Sequence, residues 1–167
     1  MKNLILIRHG KSNWDCPIED HERPLKKRGI SDALLISDKI KKYLPEKFLI
    51  FSSTAKRAFD TAKIFAQNLL IPEELIIQKS DLYTFDRLNL SNFVKSINNE
   101  HDSIILFGHN NAITDFVNKF GNKSIDNVPT SGVVFLQFDQ NNWDAIDNGT
   151  ILETIFPKDY RNDSKAS

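Results

Sequence analysis

Short unbroken apolar runs alternate along this chain with stretches in which apolar residues recur every three or four positions. The runs at residues 4–7, 48–51, 75–77 and 104–107 are four residues or fewer and rich in Leu, Ile and Phe. Such runs suit strands covered on both faces, as in a parallel sheet. Between the first two, Ile30, Ala33, Leu34, Ser37, Ile40 and Leu44 keep a helical period that ends before Pro45. Ala55, Ala58, Phe59, Ala62, Phe65, Ala66 and Leu69 form the strongest helical face. Ser52-Ser53-Thr54 stands before it as an N-cap signal and Pro72 closes it. Residues 91–97 predict a helix with Phe93, Val94 and Ile97 inward. Ile113, Phe116, Val117 and Phe120 predict another, ended by Gly121.

The last third changes period. Residues 133–138, 143–146 and 150–155 read as strands, with Asn148-Gly149 as a hairpin turn between the last two. Residues 10–25, interrupted by Pro17 and Pro24, read as a loop. Strands alternating with helices predict an α/β domain with a mainly parallel sheet and an antiparallel end. The pattern shows no internal repeat and no linker. One domain over residues 1–157 is expected, followed by a polar, frayed tail at 158–167.

Charge narrows the function classes. Lys plus Arg and Asp plus Glu both number 22 in 167 residues, a formal net charge of zero. A nucleic-acid binder acting through a basic face is not expected, nor is a polybasic membrane anchor. The single cysteine, Cys16, excludes an intramolecular disulfide and reads as an incidental loop residue. The apolar run near the amino terminus is too short for a signal peptide, and no run reaches membrane-spanning length. A soluble, cytoplasmic protein is the expectation.

Three polar clusters then share one address. Arg8-His9 follows the first strand. Ser52-Ser53-Thr54 and Arg57 follow the second. Gly108-His109-Asn110 follows the fourth, where a helix starts. Ligands of open parallel sheets sit outside the carboxyl ends of the strands, so Arg8, His9, Arg57 and His109 are expected to converge although the two histidines are 100 positions apart. Arginine forks match phosphate oxygens, and a neutral imidazole is a nucleophile. The set suits a phosphoryl group: His9 attacks phosphorus, Arg8, Arg57 and His109 hold the equatorial oxygens, and water releases phosphate. Lys11, Ser12 and Asn110 are candidates for substrate contact.

The same residues carry a resemblance. "LIRHGKSNW" resembles the RHG motif of the histidine phosphatase superfamily, the phosphoglycerate-mutase-like fold. "FSSTAKRAFDTA" and "ILFGHNNAI" are similar to its S-S-x-x-x-R-A-x-x-T-A and G-H-N segments. "DHERPLKKRG", residues 20–29, resembles the D-x-D/E-R-P-L-x-x-R-G stretch of the short SixA-type phosphohistidine phosphatases. The likeness spans roughly residues 2–155. It implies a three-layer α/β/α sandwich on a six-stranded, mostly parallel sheet with one antiparallel strand. It also implies His9 as nucleophile, through the ε nitrogen that the family uses, with Arg8, Arg57 and His109 as the phosphate pocket and no metal or other cofactor. The sequence itself has no H-x-x-x-H or C-x-x-C spacing, and arginines beside His9 repel a cation.

Two departures matter. The larger branch of the family carries an acid in an L-x-E motif before the second histidine, whereas Leu82-Tyr83-Thr84 stands here. An alkyl phosphate expels an alkoxide that needs a proton. A phosphohistidine expels an imidazole of pKa near ~6.5, which leaves readily. The missing acid therefore favours P–N bonds or activated aryl phosphates, unless Asp15, Asp20, Glu22 or Asp86 supplies a proton from a loop. Asp15 also replaces an asparagine that touches phosphate in mutase relatives, which implies a different loop path.

The expected activity is a metal-independent phosphatase acting on phosphohistidine of a protein, such as a phosphotransfer domain or phosphocarrier. A phosphatase of small phosphomonoesters and a non-catalytic phosphoprotein-binding module stand as alternatives; mutase activity is not expected. His21 and His101 read as ordinary exposed residues, Arg23 as a salt-bridge partner within its loop, and Tyr83 as a packing residue.

Overall fold

The computed structural model describes residues 1–15 and 17–161; Cys16 and residues 162–167 of the polar tail lie outside the described residues. In chain order the elements are β1 (Lys2–Arg8), α1 (Lys27–Ile40), β2 (Leu49–Ser53), α2 (Lys56–Asn68), β3 (Ile76–Lys79), α3 (Arg87–Lys95), β4 (Ser103–Gly108), α4 (Ala112–Phe120), β5 (Val133–Phe138) and β6 (Thr150–Ile155). They build one six-stranded sheet in the order β3-β2-β4-β1-β5-β6. β3, β2, β4 and β1 are mutually parallel, while β5 runs antiparallel to both of its neighbours. This is the expected sandwich with its one antiparallel strand.

The unbroken run in β1 serves two cores at once. Leu4 and Leu6 point into the layer of α3 and α4, with Leu90, Val94, Ile113 and Phe116. Ile5 and Ile7 point into the layer of α1 and α2, with Ala33, Ile36, Ala62 and Phe65. Alternate residues of a strand face opposite sides, so the part of a strand buried on both faces favours apolar residues at consecutive positions. Arg8 pairs in register with Gly108, and Ser52 with Phe107. Strands β1, β2 and β4 therefore end side by side.

Six expectations are corrected. Ser52 and Ser53 belong to β2, and the N-cap of α2 is Ala55, whose amide donates to Ser53 Oγ at 3.1 Å. Ile30 and Leu34 are 43% and 49% exposed, because α1 buries the face of Asp32, Ala33, Ile36, Ser37 and Ile40 instead. Trp143–Ala145 is a 3-10 turn, held by a hydrogen bond from Trp143 Nε1 to His101 O at 2.7 Å. Asn148-Gly149 therefore closes a longer β5–β6 connection rather than a two-residue hairpin. Glycine is required at 149, because a Cβ there would lie 2.6 Å from the Phe138 ring. The tail is ordered as far as it is described: Tyr160 packs on the α1/α2 core, and Arg161 donates to Asp32 at 2.7 Å. That pair explains a buried aspartate in α1. Finally, His21 and His101 are half-buried rather than exposed, because His21 packs edge-on against Tyr83 and bonds Thr54 Oγ1.

One close approach fixes the loop after β1. A Cβ at Gly29 would meet Lys11 O at 2.3 Å, and one at Gly10 would meet Gly29 O at 3.0 Å. The backbone around the first motif thus rests directly on the start of α1, a contact only glycine permits.

Candidate active site

Arg8 ends β1, and His9 follows it on backbone pinned at both sides. The His9 amide donates to Gly108 O at 3.1 Å, and the Gly10 amide to Thr61 Oγ1 at 2.9 Å. Thr61 in turn donates to Arg57 O at 2.7 Å. The β1 end and the first turns of α2 are therefore one unit.

The protonation of His9 follows from its neighbours. Nδ1 lies 2.7 Å from Gly10 O. A carbonyl only accepts, so Nδ1 carries the hydrogen and Nε2 keeps its lone pair. Nε2 sits 3.4 Å from Arg57 Nε. Burial, joined by the charges of Arg57, Arg8 and Arg23, pushes the His9 imidazole down to about 3. The ring is neutral at any physiological pH.

His109 lies beside it, with ring centroids 5.1 Å apart. It is fully buried, beneath Tyr83 and Phe85 at 5.5 and 5.3 Å. Its Nε2 bonds Ser53 Oγ at 2.8 Å, while Nδ1 has no partner among the described residues. Burial and the cationic surroundings depress it to about 2.

Asp20 organises the arginines. Its Oδ2 accepts from Arg57 Nη2 at 2.9 Å and from Tyr83 Oη at 2.5 Å, and its Oδ1 accepts from Arg23 Nε at 3.0 Å. Its backbone carbonyl accepts from Arg57 Nη1 at 2.7 Å. Both terminal nitrogens of Arg57 are thus turned to Asp20, which leaves the Nε edge toward His9. Desolvation pushes the Asp20 carboxyl up, but the hydrogen bonds from Tyr83, Arg57 and Arg23 outweigh it and hold the group well below the usual carboxylate range. Arg23 also donates to Ser12 Oγ at 2.6 Å.

Arg8, His9, Lys11, Ser12, Trp14, Asp20, Arg23, Lys26, Arg57, Phe85 and Asn110 all border one open cleft of about 660 Å³. Among the described residues five cations and one carboxylate line it, in a protein whose formal net charge is zero. A slightly larger surface groove, about 760 Å³, runs between α1 and α2 and contains none of the predicted site residues.

Arg8, His9 and Arg57 thus meet as expected, and His109 adjoins them from beneath the cleft wall. Lys11 is exposed at the rim. Ser12 and Asn110 reach the cleft with their polar atoms engaged inside the protein, Asn110 through Thr114, Asn127 and Val128. Arg8 donates to Val128 O at 3.0 Å, and its buried Nε has no partner among the described residues. Of the loop acids considered from sequence, only Asp20 reaches the cleft; Asp86 instead caps α3 through Leu88 N at 3.2 Å. Sequence reasoning did not single out Trp14 or Phe85. The available signal was a large aromatic residue in an otherwise polar loop.

The sequence pattern of the histidine phosphatase superfamily (branch 1) matches residues 4–80. An uncharacterized chloroplastic protein of Arabidopsis thaliana is 30% identical over 156 residues, covering 86% of this chain and 69% of that protein. The chain belongs to the histidine phosphatase superfamily. Its fold is similar to that of the protein histidine phosphatase SixA, solved with tungstate, at a TM-score of 0.79 and 20% identity over 94% of this chain and 98% of the other. A SixA-type protein of Agrobacterium tumefaciens superposes at 0.73, with 24% identity over 92% and 97%. A mycobacterial glucosyl-3-phosphoglycerate phosphatase does so at 0.69, with 13% identity over 92% and 98%.

Proposed function

We propose that this protein is a phosphatase in which His9 Nε2 takes the phosphoryl group, and that its substrate is a phosphohistidine on another protein. The observation that carries the first part is the neutral His9 whose Nδ1–H is held by Gly10 O, leaving the Nε2 lone pair beside Arg57. A cationic cleft around a neutral nucleophile fits a dianionic phosphoryl group whose charge spreads in the transition state. Arg8, Arg57 and His109 surround that group.

The substrate follows from proton supply. Aromatic rings, not a carboxylate, stand over His109. Asp20, the one carboxylate lining the cleft among the described residues, is held ionised by three side-chain donors and is a poor acid. A leaving group that needs no proton is favoured. In a phosphohistidine protonated on its other ring nitrogen, the His9 Nε2–P bond forms as the substrate P–N bond breaks. The bonding pair stays on the departing imidazole, which leaves neutral. Water then attacks phosphorus, the Nε2–P pair returns to His9, and dihydrogen phosphate departs to shed a proton into solvent.

The test is intact mass spectrometry after an acid-free quench, with phosphoramidate as donor. The expected result is a transient gain of one phosphoryl group in the wild type, with phosphate released, and neither in His9→Ala. Phosphate binding without adduct or release would overturn the catalytic reading and leave a phosphoprotein-binding module.

A further inference from the structure

One cleft residue has no part in this chemistry. Trp14 is 74% exposed, the most exposed aromatic side chain among the described residues. Leaving most of an indole in water forgoes a large apolar burial. The ring is nevertheless not loose. The Arg23 guanidinium lies 3.4 Å from its centroid. Arg23 is itself buried and pinned by Asp20 Oδ1 and Ser12 Oγ. One indole face is therefore seated on a fixed cation, and the ring, exposed over most of its surface, borders the cleft that also holds His9 and Arg57. A cover for Arg23 explains the seated face and leaves the open one without a purpose. A rigid aromatic platform that loses little entropy on contact is a recognition device.

The flat faces of aromatic rings favour other flat rings. Resting on the reading of the cleft as a phosphoryl site, we propose that Trp14 receives the planar leaving group of the substrate, so that the cleft selects donors whose phosphorus is bonded directly to a flat ring. The imidazole of a phosphohistidine is such a ring. A sugar or alkyl phosphate offers none. Phe85, 51% exposed and contributed by the loop before α3, also borders the cleft, but it is already stacked edge-on over Tyr83 and His109. Trp14 therefore carries the ring contact.

Two non-hydrolysable phosphoryl mimics test this without turnover. Phenylphosphonate carries a ring on phosphorus and methylphosphonate does not. Calorimetric titration of the wild type is expected to give a dissociation constant about 5- to 20-fold lower for phenylphosphonate, the size of one ring stack. Trp14→Ala should abolish that preference and Trp14→Phe should keep most of it. Because Trp143 is buried, the phenyl compound should also quench the exposed indole. Equal affinities in the wild type, or a preference that survives Trp14→Ala, overturns the proposal; survival in Trp14→Ala with loss in Phe85→Ala moves the ring contact to Phe85. Failure of both compounds to bind overturns the phosphoryl-site reading and the proposal together. A ring preference in a protein that forms no adduct with phosphoramidate leaves the platform standing and removes the phosphatase.

Discussion

β1 carries a cation at each end, Lys2 fully buried and Arg8 half-buried, and the two are treated in opposite ways. At the amino end Lys2 is fully buried, and its ammonium meets three acceptors: Asn99 O at 2.5 Å, Asp102 Oδ1 at 2.9 Å and His101 O at 3.2 Å. Three donors find three acceptors, the condition under which a buried charge is tolerated. At the carboxyl end, the Arg8 side chain donates to Val128 O and its buried Nε has no partner among the described residues, nor has His109 Nδ1. Such groups cost roughly 1–3 kcal/mol each when left unmade. One end of the strand is finished as structure. The other holds donors and lone pairs in reserve, the mark of a site built to meet a charged ligand.

The sharpest way to break this comparison is to remove His9. His9→Ala should lower turnover by about 10⁴-fold or more, while urea unfolding shows a midpoint no lower than the wild type. A large loss of stability would mean the carboxyl end is structural after all. Next in size, Arg57→Lys keeps the charge but loses the fork that faces Asp20 and His9. A fall of roughly 10²- to 10³-fold in kcat/KM is expected, in line with loss of a charge-stabilising donor. The mirror experiment is Lys2→Ala. It strands the carbonyl of Asn99, leaves that of His101 to Trp143 Nε1 alone, and should cost about 2–4 kcal/mol in urea unfolding. The kcat/KM of the folded variant should stay unchanged.

The last effect is graded with pH. His9 and His109 bind protons in the folded protein only near pH 3 and 2, whereas the unfolded chain binds them near 6.5. Between these limits the unfolded state holds more protons, so stability falls as pH falls from about 6.5. Each histidine contributes a slope of roughly 1.4 kcal/mol per pH unit within that window. Unfolding free energies measured from pH 7 to 4.5 should show the slope in the wild type and a shallower one in His109→Gln. An unchanged slope in that variant would place the pH sensitivity elsewhere.

Much of this was legible from residue order. The run at residues 4–7 has no polar position, so it could only be a strand covered twice. Arg8, His9, Arg57 and His109 each sit within a few residues of such a run, and parallel strands carry their carboxyl ends together. What stayed hidden depends on contacts distant in sequence. Ile30 and Leu34 keep the helical period, yet α1 turns its Asp32 side inward because Arg161 waits there. Residues 143–146 read as a strand because Trp and Ile favour one, but Trp143 is claimed by the carbonyl of His101. Asp20 suggested a proton donor, and only its three side-chain donors from Arg23, Arg57 and Tyr83 reveal it as a clamp.

The place of β4 at the middle of the sheet has a kinetic consequence. Its neighbours β1 and β2 are made first on the ribosome, yet they do not touch each other; β4 must slide between them before either is fully paired. Closing contacts across about a hundred residues is slow relative to local helix formation. His109 arrives on that same strand end. Catalytic competence should therefore be among the last properties to appear during refolding, after helical signal has recovered. A nascent or truncated chain that lacks β4 keeps His9 and Arg57 but lacks the strand that sets the ends of β1 and β2 side by side.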